Sequence, residues 1–62
     1  MRGEKDFNVG GVDYHLQFYN GYNGHDYVTV YGNGNYMGQM VDVCIGDSNI
    51  LIHLKKFIDE NS

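Results

Sequence analysis

His25 and Asp42 are the two side chains of this chain most easily read as chemistry. They fall opposite one another when the segments flanking Asn33-Gly34 are paired across that dipeptide, so an acid–histidine couple is conceivable. Two residues do not make an active site. General acid–base catalysis also needs a pocket and a group that stabilises developing charge, and a 62-residue domain has little room for a cleft that excludes water. His15, His25, His53, Asp26 and Asp42 follow no recognised metal-ligand spacing. Cys44 has no basic neighbour in sequence to activate it and reads as a small apolar filler within a strand. Gly32-Asn33-Gly34-Asn35 shares only its glycines with phosphate loops, since it has no lysine, joins two strands and opens no helix. The expectation is therefore no catalytic set, no metal and no cofactor.

Charge and aromatic content carry more information. Residues 7–54 contain no lysine and no arginine, yet they hold all six tyrosines. A protein that grips nucleic acid by its phosphates needs the reverse arrangement, and a net charge of −4 repels a polyanion. Single-strand platforms do stack bases on aromatics, but they add a basic groove that this chain lacks. The partner expected is a protein with a neutral or basic surface, and no nucleic acid. A chain of 62 residues buries only about 60% of its unfolded surface. One cysteine rules out an intrachain disulfide, so self-association, as a two-fold homodimer, is the expected extra support. The charged start leads into no apolar core of a secretion signal, and the longest apolar run is Ile50-Leu51-Ile52. A cytoplasmic protein with no membrane partner is the reading.

The elements that would position these residues follow from periodicity. Val12, Tyr14, Leu16 and Phe18 alternate with Asp13, His15, Gln17 and Tyr19, the pattern of a half-buried strand over residues 12–19. Residues 20–26 are rich in Asn and Gly and read as a loop, followed by a strand at 27–31. Asn33-Gly34 is a strong signal for a two-residue hairpin turn, because such a turn needs positive φ at both central positions. A third strand, 36–45, leaves it. The turn sets Tyr31 opposite Tyr36, so Val28, Val30, Met37, Val41, Val43 and Ile45 fall on one side, and pairing Phe18 with Val28 and Leu16 with Val30 puts Val12, Tyr14, Leu16 and Phe18 there too. In that register Gln39 faces inward unless a bulge near Gly38 turns it out. Phe7 and Val9 are either a short edge strand or a strap, and residues 1–6 are taken as a flexible tail.

Residues 47–60 suit a helix. Asp47, Ser48 and Asn49 are candidate caps, and Phe57, Ile50, Leu54, Ile58 and Leu51 make one apolar stripe. The competing reading is a fourth strand at 50–54. The fold class expected is a single α+β domain, a three-stranded antiparallel meander over 12–45 with the helix on one face. The other face then carries Tyr19, Tyr27, Tyr31, Tyr36, Met40, His15 and Gln17, with Thr29 and Cys44 among them and Asp13 and Asp42 toward its ends. Tyrosine is enriched where proteins meet, so these residues are the candidate binding site. A small interaction protein is the expectation, an inhibitor or adaptor of the kind found among viral accessory proteins that block host defence enzymes. The alternatives are a glycan- or single-strand-binding module using the same tyrosines, and a minor metal-dependent or His/Asp enzyme.

Overall fold

In the computed structural model, which describes residues 2–21 and 23–61, four antiparallel strands precede one helix. β1 is Gly3–Val9, β2 Val12–Asn20, β3 Asp26–Gly32, β4 Asn35–Val41 and α1 Ile50–Glu60. The strands lie side by side in chain order, so the sheet is a meander and the class is α+β. The strand count corrects the expectation of three. Residues 3–6, expected to be part of a flexible tail, form the first half of β1, and Met1 lies outside the described residues. The reason is the Gly10-Gly11 pair, whose φ of +60° and +86° close a two-residue turn with Val9 opposite Val12. Phe7 and Val9 then pack against the core as an edge strand does.

The inner pairing is as the sequence pattern implies. Phe18 faces Val28 and Leu16 faces Val30, while Asn33-Gly34, at φ +48° and +86°, sets Gly32 opposite Asn35 and Tyr31 opposite Tyr36. The loop between β2 and β3 has its predicted place, although Tyr22 within it lies outside the described residues.

β4 departs from the expected alternation. Tyr31 faces Tyr36 but Val30 faces Gly38, so Met37 is an extra residue, a β-bulge. Gly38 takes φ +143°, a conformation that favours glycine. The bulge turns Gln39 outward and reverses everything after it: Met40, expected on the tyrosine face, is buried in the core, and Val41, expected inside, is 68% exposed. Strand pairing stops at Val41 instead of Ile45, and Asp42 leaves with φ +60°. Val43 and Ile45 still reach the core, from the connection that follows the strand. Cys44, expected within that strand on the tyrosine face, is an exposed residue of the same connection.

The helix excludes a fourth strand at 50–54. It starts at Ile50, later than the expected 47, because Asp47 Oδ1 accepts the Asn49 N–H at 2.7 Å in the turn ahead and Asn49 takes the cap position without a side-chain bond. Ile50 and Leu54 are buried against Tyr14, Leu16, Phe18, Val28, Val30, Met40 and Val43, with Phe57 and Ile58 packed beside them. Leu51, assigned to the same stripe, is 39% exposed at its border. Phe57 lies by the bulge, where a Cβ added to Gly38 would come within 3.3 Å of its ring. One side of the sheet is thus covered, and the other is left open.

Candidate functional site

The open side is built by residues that alternate with the core. β1 contributes Glu4, Asp6 and Asn8, β2 Asp13, His15, Gln17 and Tyr19, β3 Tyr27, Thr29 and Tyr31, and β4 Tyr36, Gln39 and Val41. No strand position on this side holds lysine or arginine. Arg2 lies at one end of it, lining a cleft of about 40 Å³ with Tyr19, Asn20, Asp26 and Cys44.

Two aromatic pairs occupy the β2 to β4 half. Tyr19 stacks on Tyr27 with ring centres 5.0 Å apart and planes 10° from parallel, and Tyr31 meets Tyr36 edge-on at 5.7 Å. Both are directly opposed cross-strand partners, the separation at which aromatic rings attract beyond simple burial. Tyr36 is 60% exposed. The ring of His15 approaches Tyr31 at 6.4 Å.

The β1 to β3 half is tied by a continuous hydrogen-bond chain. His15 Nδ1 lies 2.6 Å from Asp6 Oδ1, and its Nε2 lies 2.8 Å from Glu4 Oε1. The same Glu4 oxygen accepts from Gln17 Nε2 at 3.3 Å. Gln17 Oε1 in turn accepts from the hydroxyls of Tyr19 at 3.2 Å and Thr29 at 3.3 Å. The bonds to Asp6 and then Glu4 raise the pKa of His15 above its ordinary value, while the bonds from His15 and then Gln17 lower that of Glu4. The chain holds six polar side chains in fixed orientation on a solvent-facing sheet. At its far end Asn8 Nδ2 donates to Asp13 Oδ1 at 2.8 Å.

Of the sequence-derived candidates, the structure brings together Tyr19, Tyr27, Tyr31, Tyr36, His15 and Gln17 and separates Met40 from them. Sequence reasoning missed Glu4 and Asp6 because they sit in a charged start that resembles a tail. Gly10-Gly11 was the signal that would have folded that segment back onto β2. Val41 was missed because the bulge is invisible to simple alternation.

The His25–Asp42 couple does form, at 3.0 Å, past the ends of β3 and β4. Both side chains are about 70% exposed, so the pair stands in water. His53 Nε2 approaches Asp47 Oδ2 at 3.4 Å across the start of α1. Among the described residues no three His, Cys, Asp or Glu side chains are disposed to hold a metal ion, and no helix is long and apolar enough to cross a membrane. An open groove of about 320 Å³ runs between α1 and β4, with Phe57, Met40 and Val43 among its lining and His53, Lys56 and Glu60 on the helix side. In comparisons with known proteins, no family model, no curated protein and no solved structure matches this chain.

Proposed function

We propose that this chain is a non-catalytic protein-binding module, an inhibitor or adaptor, that works through the open face of its sheet. The observation that carries the reading is the composition of that face: two ordered tyrosine pairs beside a fixed acidic border of Glu4 and Asp6, with Asp13 nearby and no lysine or arginine at any strand position. Paired rings and a satisfied polar chain lose little side-chain freedom on binding, which lowers the entropic cost of association. The partner best suited has an apolar centre to cover Tyr27, Tyr31, Tyr36 and Val41 and basic side chains to meet the carboxylates. A sugar would compete poorly for the hydroxyls of Tyr19 and Thr29, which already donate to Gln17.

The test is affinity capture of the partner with the intact chain and with substituted chains. Tyr27→Ala, Tyr31→Ala and Tyr36→Ala should each weaken binding by about 1–3 kcal/mol, as truncated aromatic anchors do. His25→Ala and Asp42→Asn should leave it unchanged. Loss of function on the second pair, with binding retained, would replace this reading by the acid–histidine one.

A further inference from the structure

The first half of β1 is fastened to the sheet differently from the second. Phe7 and Val9 pack against the core, whereas Glu4, Lys5 and Asp6 are all exposed and Lys5 faces the opposite side from its neighbours. Beyond its backbone ladder and the longer 3.3 Å bond from Gln17 to Glu4, this half is tied through His15, which contacts Asp6 at 2.6 Å through one ring nitrogen and Glu4 at 2.8 Å through the other. Ionised carboxylates only accept hydrogen bonds, and a neutral imidazole has a single N–H to give. Both short contacts exist together only when the ring carries its second proton. We propose that His15 is a proton-operated clasp, which fastens Glu4 and Asp6 to β2 when protonated and lets one of them go when the proton leaves.

The groups facing the ring support this. From β1 come Glu4 and Asp6, from β3 the Tyr31 ring at 6.4 Å, and along β2 Asp13 and Gln17 lie on the same face, Gln17 bonding Glu4. No cation on these strands competes for the carboxylates on this side. The pKa of His15 is raised, chiefly by Asp6, and that of Glu4 is lowered, chiefly by His15. The signs give the working range. A raised histidine contributes its full stabilisation below its unfolded value of about 6.5, and loses it as pH rises through the native value. A lowered carboxylate contributes above its unfolded value and loses its share as pH falls through the native one. The clasp is closed between these limits and opens beyond either. Opening on the alkaline side loosens the outer half of β1 and leaves one more uncompensated negative charge on the open face. This inference stands independently of the proposed function.

The experiment is a magnetic-resonance pH titration that follows the His15 ring together with amide-exchange protection factors, which remove the intrinsic pH dependence of exchange. The ring should titrate above the ordinary histidine value. Protection at Lys5 and Leu16, whose amides face each other's strand in the β1–β2 register, should fall about two- to fivefold through the same titration, the range that exposed ion pairs support, while Thr29 and Val30 stay constant as an internal reference. In His15→Gln the step should vanish, and Glu4→Gln with Asp6→Asn should bring the ring's titration back down. Flat protection at Lys5 and Leu16 across the titration, or the same step in His15→Gln, would overturn the clasp.

Discussion

Tyr19 serves both the stacked pair and the polar chain, which lets its two contributions be separated. Its ring lies 5.0 Å from that of Tyr27, and its hydroxyl donates to Gln17. Tyr19→Phe keeps the stack and removes one hydrogen bond, so it should cost about 0.5–1.5 kcal/mol in urea-monitored stability. Tyr27→Ala removes the stack and should cost about 0.5–1.5 kcal/mol beyond the lost buried area. A larger loss from the Phe substitution than from the Ala one would place the face's rigidity in the hydrogen-bond chain. At this scale the sequence reveals the tyrosines and conceals the acids. Tyr19 and Tyr27 are found because alternation along β2 and β3 and the match of Phe18 to Val28 fix their register. Glu4 and Asp6 have no apolar alternation around them, and only their pairing with a residue eleven or nine positions away reveals them as part of the face.

At the level of elements, one residue decides which side chains of β4 are buried. A strand alternates with period two, so the extra Met37 exchanges the faces of all that follows. The hairpin turn, the β2–β3 register and the helix are legible because each depends on local chemistry repeated over several residues. The bulge depends on tertiary packing: Met40 fills the core better than Gln39, and Gly38 allows the backbone to comply at φ +143° with Phe57 against it. Closing the bulge with every residue kept, as Gly38→Val favours because a β-branched side chain resists φ +143°, would restore the straight ladder with Met37 opposite Val30, bringing Gln39 inward and Met40 outward. Burying an amide without partners costs about 1–3 kcal/mol, and exposing a buried methionine forfeits about 1.5–3 kcal/mol. Against a total stability of about 5–15 kcal/mol, the Gly38→Val substitution should lower the urea midpoint severely or leave the chain unfolded. A near-normal midpoint would mean that the bulge persists without glycine at this site.

For the whole molecule, the two sheet borders are guarded in different ways, which is consistent with the proposal that association uses the face. β1 presents Glu4, Lys5 and Asp6 along one edge, and the bulge at Met37 interrupts the other, both being devices that discourage edge-to-edge pairing. On the proposed reading a partner protein and a second copy would compete for the same face, and salt would distinguish them. Two copies each carry a net charge of −4, and a face-to-face pair brings their acidic borders into one interface. Screening, with a Debye length of about 10 Å at 0.1 M, relieves that repulsion, so self-association measured by sedimentation should strengthen as salt is added. A basic partner is attracted by the same charges. Its association rate should fall by about tenfold from low to high salt, with dissociation nearly unchanged because the tyrosine contacts that hold the complex are uncharged. A dimer that weakens with salt would point instead to a pairing of opposite charges, with Arg2 at the end of the face set against the partner copy's carboxylates. Tight, salt-sensitive binding to DNA or RNA would show that the tyrosines stack bases after all.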